Sequence, residues 1–482
     1  MQDNSDSTTA SQAKTDAACK ADKCRKTILF VPLDCVGHVN SLISIADSLK
    51  QLGHRTVFLF YDPMDGGLKE RGHEVYDCTD EGLVPSTPTA ASEQKWDMIV
   101  NEMGKLWRSS LMDNFIQTTR VGLGSMMKDI VKHDERVERK LNLIKPDLII
   151  IDHYFIQPAL IKYNKPWARV YSASPLALHP KCHKLPPATL GLPTDWLETK
   201  DEKLKAMYER YDKTVEETKM ELYSKFNDYL TKTKQLEALP LDPLSYIYDS
   251  PHLNVYMYPE ELDYNHLPAP KNWSRCDSIL RANTKLPVED GSTPVAQEDE
   301  EIPRFKIPLE LRDKPGKLIF LSMGSLASGD VALMKRLIAF LANSPHRFVV
   351  SRGPNWQQYE LAANMWGEKF VPQLSVLQEI DLIITHGGNN TITECFYYGV
   401  PGFVVCPIFS DQYDNAQRIE EQKLGKRVDP FHCSESELLN TIESVLADES
   451  IRPRMKAIKE RMQRAENKFK AIKLFKELVE RI

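Results

Sequence analysis

Leu382–Glu394 reads LIITHGGNNTITE. The apolar run Leu382–Thr385 predicts a buried strand, Gly387-Gly388 a sharp turn, and Asn389-Asn390-Thr391 the first turn of a helix ending near Gly399. Strand, glycine turn and helix N-terminus together form an anion site, because unpaired backbone N–H groups and the positive end of the helix dipole face one point. Glycine admits close backbone approach where a side chain would block it. His386, Asn390 and Thr391 add donors there, and Glu394 adds an acceptor one helical turn on.

The same alternation recurs along the chain. Thr27–Pro32 predicts a strand buried on both faces; Gly37-His38 follow, then a helix from about Asn40 to Leu52 and a second strand at Thr56–Phe60. A strand ending at Asp152 and another at Trp167–Tyr171 continue the series, and the long charged stretch Glu198–Leu236 predicts two helices. After an acidic, proline-rich stretch a second series begins, with strands at Lys317–Ser322, Arg347–Ser351, Leu382–Thr385 and Phe403–Cys406. Such alternation predicts an α/β fold of two doubly wound domains, whose ligands bind beyond the carboxyl ends of the strands. The expected division is a flexible tail at 1–24, a first domain at 25–280, a linker at 281–314, a second domain at 315–450, and one amphipathic helix at 451–482 packing on the body.

Composition narrows the function. At 482 residues the chain is too long for one core, and 42% hydrophobic with 27% charged residues suits a globular protein. A net charge of −6 gives no nucleic-acid footprint. The nine cysteines are scattered and none forms a C-x-x-C pair, so a reducing, cytoplasmic setting without disulfides or zinc is expected. Neither a signal peptide nor a membrane anchor is read in the sequence. The first strand is not followed by G-x-G-x-x-G, which counts against a dinucleotide dehydrogenase.

Phe370–Gln373 reads FVPQ, and the run that follows contains HGG, a glutamate, GVP, a proline and DQ-x-x-NA in order. This run resembles the signature of family 1 UDP-glycosyltransferases, and its wording is similar to that of soluble bacterial macrolide glycosyltransferases and their arthropod, mite-like relatives. Gly37-His38 and Ser322–Ser325 stand at matching places. The resemblance implies a GT-B fold: two facing Rossmann-like domains with the active site in the cleft.

Residue by residue, it implies that His386, Gly388, Asn390 and Thr391, with Ser325, hold the diphosphate of UDP-glucose. Glu394 would bind the ribose, and Phe370, Val371 and Gln373 the base. Phe370 replaces the family's usual tryptophan with a smaller face. Asp411 and Gln412 would contact the sugar hydroxyls, although Pro401–Pro407 carries one residue more than the family's spacing. His38 would be the general base and Asp152 the carboxylate that orients it, a pairing suited to histidine chemistry near neutrality. No cofactor or metal is called for, and inversion at the sugar is expected. Trp107, Phe115, Phe155 and Leu176 are candidate walls for a small lipophilic acceptor such as a flavonoid, another phenol or a xenobiotic, in a detoxification role. The enzyme is expected to act as a monomer without nucleic-acid partners. A nucleotide-sugar epimerase or an inactive UDP-sugar-binding protein on the same fold are the alternatives.

Overall fold

Thr27–Pro32 (β1) and Leu148–Asp152 (β4) lie side by side and parallel, with Pro32 opposite Asp152. Both are unbroken apolar runs, and only helices on both faces of a parallel sheet can bury them. The computed structural model that shows this describes residues 25–62, 67–79, 100, 102–242, 246–280 and 302–482. The expected tail at 1–24 and most of the expected linker lie outside the described residues.

The first sheet contains β1, β4 and Arg55–Phe60 (β2), Glu74–Asp77 (β3), Trp167–Tyr171 (β5), Leu253–Tyr256 (β6) and Trp273–Arg275 (β7), in the order β3-β2-β1-β4-β5-β6-β7. The second contains Leu318–Ser322 (β8), Arg347–Ser351 (β9), Met365–Glu368 (β10), Leu382–Thr385 (β11), Phe403–Val405 (β12) and Gly425–Arg427 (β13), in the order β10-β9-β8-β11-β12-β13. The strand order reverses between β1 and β4 in one sheet and between β8 and β11 in the other. A crevice opens beyond the strand ends at each such switch. The chain is therefore an α/β protein with two Rossmann-like sheets, as the alternating pattern led us to expect.

Helices correct the sequence reading in three places. The first, Val36–Gln51 (α1), begins four residues earlier than expected, so His38 lies in its first turn and not in the preceding loop. Glu202–Asp228 (α2) is one helix, continued by a wider turn at Tyr229–Thr233, where two were expected. Its start is set by the Asp201 carboxylate, which accepts from the backbone N–H of Lys203 and Leu204. In the second domain Val331–Leu341 (α3), Asn389–Tyr398 (α4), Gln412–Glu421 (α5) and Glu435–Leu446 (α6) pack on the sheet.

The third correction is at the C-terminus. The single expected helix is broken into Ile451–Met462 (α7) and Lys470–Glu480 (α8), with a one-turn helix at Ala465–Lys468 between them. The reason is that its apolar stripe serves two cores. Met455, Ile458 and Met462 join the core of the second sheet, whereas Ala471, Phe475, Leu478 and Val479 pack with Ile28, Phe30 and Leu42 of the first. A straight helix could not reach both. Arg461 fixes the crossing, donating to both Glu261 oxygens at 2.8 Å and to Asp277 at 2.6 Å. Among the described residues no helix is long and apolar enough to cross a membrane.

Phe475 is fully buried on the first domain. Phe475→Ala should lower stability by about 3–5 kcal/mol through lost burial and the cavity left behind. Urea denaturation of the full chain measures it.

Candidate active site

His38 and Asp152 meet because β1 and β4 end together at the first switch point. Leu33 donates its N–H to the carbonyl of Asp152 at 2.8 Å, and the turn at Asp34-Cys35 then starts α1 directly over the end of β4. His38 Nδ1 lies 3.0 Å from Asp152 Oδ1, and the carboxylate is almost wholly buried. The other carboxylate oxygen, Oδ2, accepts from Ser41 Oγ at 2.5 Å and Ser172 Oγ at 2.7 Å. With Nδ1 engaged, Nε2 is the nitrogen left for proton transfer. Burial works to lower the His38 pKa, but the charge and hydrogen bond of Asp152 and the charge of Asp411 outweigh it, leaving it above its ordinary 6.5.

His153, next in the chain, points to the opposite side. Its Nδ1 accepts from the Phe155 N–H at 3.0 Å, its ring meets Tyr61 edge-on, and burial drives its pKa down to about 3. It is a neutral core histidine.

The second switch point builds the candidate anion site. Gly387, at φ +87°, turns the chain after β11, and Gly388 caps α4, whose first turn is Asn389-Asn390-Thr391. The His386 ring is wedged between two glycines: a Cβ on Gly324 would come within 2.6 Å of it, and one on Gly388 within 2.5 Å. Burial lowers the pKa of His386 to about 4 despite a hydrogen bond to the Ser322 backbone, so at neutral pH the ring is uncharged. Ser325 is exposed in the short helical turn after β8, and Phe370 is also exposed, with the Lys369 ammonium 5.6 Å from its ring centre. Val371 is half-buried beside it. Gln373 donates from Nε2 to Glu394 at 2.5 Å and to Thr391 Oγ1 at 3.4 Å, gathering these side chains beneath the helix end.

Several residues stand where the sequence did not place them. Asn390, expected on a phosphate, donates from Nδ2 across the cleft to the carbonyl of Gly37 at 2.6 Å. Gln412 uses its side-chain oxygen on the N–H groups of Ile408 and Phe409, at 2.9 and 3.2 Å, leaving its amide N–H groups to donate. In the turn just before Asp411, Ser410 adopts φ +57°. Asp411 still faces the cleft: it accepts from the Ser174 N–H at 3.2 Å, and burial raises its pKa to about 6.

The four candidate acceptor walls do not line one pocket. Phe155 is buried against Phe226 and Tyr246, Phe115 packs with Trp196 and Tyr208, and Leu176 with Ala188 and Tyr264, each in a separate apolar cluster. Trp107 stacks on Phe409 of the second domain, ring centres 5.8 Å apart. The aromatic ring beside His38 is instead that of Tyr154, edge-on at 5.8 Å. Its place immediately after Asp152-His153 was the signal available.

The sequence reading also left out the residues that join the domains. Asn389 donates from Nδ2 to the carbonyls of Ser172 (3.0 Å) and Met257 (2.6 Å), and Asn415 donates to the Gly387 carbonyl at 2.9 Å while accepting from Tyr258. Among the described residues no group of three or more His, Cys, Asp or Glu side chains is arranged to hold a metal ion.

Comparison with known proteins agrees with this geometry. Residues 314–459 match the family described as UDP-glucoronosyl and UDP-glucosyl transferase. A stretch covering 32% of the chain is 29% identical to an uncharacterized UDP-glucosyltransferase, YojK, of Bacillus subtilis, and spans 38% of that protein. A match likewise covering 32% of the chain is 30% identical to the NDP-glycosyltransferase YjiC of the same organism, spanning 39% of it. The chain is 37% identical to UDP-glucuronosyltransferase 3A1 of Xenopus laevis over 22% of its own length and 20% of that protein's. The matches thus span well under half of these relatives. Over nearly the whole chain, the fold is that of crystallised glycosyltransferases. The kitacinnamycin enzyme superposes over 94% of this chain and 99% of its own, with a TM-score of 0.60 at 17% identity. For the spinosyn forosaminyltransferase the coverage is 95% and 100%, with a TM-score of 0.58 at 14% identity.

Gly324 tests the anion site directly. It combines φ +73° with the His386 contact, so Gly324→Ala should cost about 1–3 kcal/mol of local strain. Calorimetry should show weaker UDP binding while the His38 side of the cleft is unchanged.

Proposed function

We propose that this chain, whose residues 314–459 are a domain of the UDP-glucoronosyl and UDP-glucosyl transferase family, is an inverting, UDP-dependent glycosyltransferase that moves glucose to a hydroxyl of a small lipophilic acceptor. One observation carries the reading: a hydrogen-bonded His38–Asp152 pair stands directly across the cleft from the glycine-turn helix end, joined to it by the Asn390–Gly37 bond.

In this reading the acceptor O–H gives its proton to His38 Nε2, and Asp152 stabilises the imidazolium that forms. The acceptor oxygen attacks the anomeric carbon from the face opposite the diphosphate. The carbon–oxygen bond to UDP breaks and its electron pair leaves with the diphosphate. That charge is met by the first-turn N–H groups of α4 and the Ser325 and Thr391 hydroxyls, with the His386 N–H joining them once it leaves the Ser322 backbone, so a metal is not required. In-line displacement converts an α-linked donor to a β-glycoside. Glu394 holds the ribose and Phe370 the base. Asp411, with the free amide of Gln412, takes sugar hydroxyls, which favours glucose. Flavonoids, other phenols and xenobiotics fit the aromatic surroundings of His38 at Tyr154 and Tyr171, consistent with a detoxification role in the cytoplasm.

A binder without chemistry would have no use for a buried carboxylate aimed at a cleft histidine. An epimerase would act wholly around the donor and leave the pair idle.

Incubation with UDP-glucose and a panel of phenols, followed by UDP release and product mass, tests the reading. His38→Ala should lower transfer by about 10²–10⁴-fold, the usual share of a general base, with UDP binding nearly intact. Transfer at the normal rate in that variant would refute the assignment, and an α-linked product would refute inversion.

The pH dependence has a definite sign. His38 must be neutral to accept a proton, and its pKa lies above 6.5, so kcat should fall as pH drops, with a midpoint above 6.5. Asp411, at about 6, adds loss lower on the same limb. An acid limb centred below 6 would contradict both.

A further inference from the structure

Ser172 occupies an unusual junction. It follows β5 directly, and its hydroxyl donates to Asp152 Oδ2 at 2.7 Å while standing 3.3 Å from His38 Nδ1. Its carbonyl, in turn, accepts from Asn389 Nδ2 at 3.0 Å, and the same amide holds the Met257 carbonyl at 2.6 Å. Asn389 is nearly buried and opens the helix that presents the anion site. The next residue, Asn390, holds the carbonyl of Gly37, immediately before His38. Two consecutive asparagines of the donor-side helix therefore grip the backbone beside both members of the catalytic pair.

A carboxylate with two free oxygens can rotate about its last bond and present either to an imidazole. Here the serines occupy Oδ2, so only Oδ1 is left for His38. The serine from β5 is placed by an amide belonging to the other domain. We propose that Ser172, held in place by Asn389, is a positioning residue of the base: it fixes Asp152 toward His38 only when the donor-side helix is seated against the first domain. Base geometry is thereby tied to the same helix end that receives the diphosphate. The proposal rests on the reading of His38 as the base.

The test reads His38 itself as well as turnover. The titratable groups facing His38 are Asp152 from β4, Asp411 from the second domain, and the neighbouring His153 and Tyr154. Without the Ser172 hydroxyl, Asp152 is no longer held toward His38 and the contact that raises the His38 pKa weakens, so the His38 titration followed by NMR should move downward in Ser172→Ala. The kcat should fall by about tenfold to a hundredfold, as expected when a reacting group is misplaced by a fraction of an ångström to an ångström. The KM for UDP-glucose should stay within about twofold, since uniform binding is untouched. Ser172→Thr, which keeps the hydroxyl, should restore both readouts.

Asn389→Ala should move the His38 titration in the same direction, and adding it to Ser172→Ala should move it no further, because both act through one hydroxyl. An unchanged His38 titration in Ser172→Ala, or fully additive shifts in the double variant, overturns the proposal. If Ser172→Ala does not fold, Ser172→Cys, nearly isosteric with a weak donor, carries the same measurement. A shifted His38 titration in a protein whose wild type transfers no sugar would leave the positioning role standing and defeat the base assignment.

Discussion

The N-terminus of one helix, Asn389–Tyr398, is shared by both domains, and the arrangement of the cleft depends on it. Its first two side chains bond the backbone of the opposite domain at Ser172, Met257 and Gly37. The turn before it is held by Asn415 at the carbonyl of Gly387. Backbone N–H groups at a helix start have no partners within the helix. Here the asparagine side chains carry the domain contacts, so those N–H groups stay available to an anion. A serine or aspartate cap would have consumed one of them. Gly388 caps the helix without a side-chain hydrogen bond, which suits a site that must accept a ligand.

Burial sorts the ionisable groups of the cleft into distinct roles. His153 and His386 are driven down to about 3 and about 4, so both remain neutral through the physiological range. His38 alone of these three is raised, because a carboxylate faces it. The two acids at the start of α5 are pushed the other way, Asp411 to about 6 and Asp414 to about 7. Asp414 is held by the backbone N–H groups of Thr189 and Gly191 from the first domain. Its folded pKa exceeds the unfolded value of 3.8, so its ionisation costs stability as pH rises through that range. The interface is thus built with a carboxylate that is easily neutralised, gripped by backbone amides of the first domain with the charge of Lys219 nearby.

The strands and helices that decide the fold were legible because they are long apolar runs of fixed period. β1, β4, β8 and β11, which flank the two switch points, were all read in the sequence, and so were His38, Asp152 and the glycine turn at their ends. The strands missed, such as Met365–Glu368 (MWGE), Trp273–Arg275 (WSR) and Gly425–Arg427 (GKR), are short edge or near-edge pieces without an apolar run. They are specified by the neighbour they pair with, not by their own composition. The acceptor walls failed for a related reason. Phe115, Phe155 and Leu176 are apolar, as either a core or a pocket requires, and only three-dimensional packing separates the two. Asn389 and Asn415 were quoted within motifs but given no role, since nothing in a sequence shows that a polar side chain will meet the Ser172 carbonyl 217 positions away or the Tyr258 hydroxyl 157 positions away.

The C-terminal crossing bears on how such a cleft can work. A covalent connection and α8 both return to the first domain, so the two sheets are tied at the back by buried apolar contact and at the front by hydrogen bonds to α4. Hydrophobic burial is non-directional and tolerates small sliding, whereas the asparagine–carbonyl bonds of α4 have strict geometry. Opening of the cleft should therefore break the front bonds first while Phe475 and Val479 stay seated on α1. The residues lost in that step, Asn389 and Asn390, are those beside Ser172 and Gly37. An open cleft would then leave Asp152 less firmly aimed at His38, and closing would restore the aim.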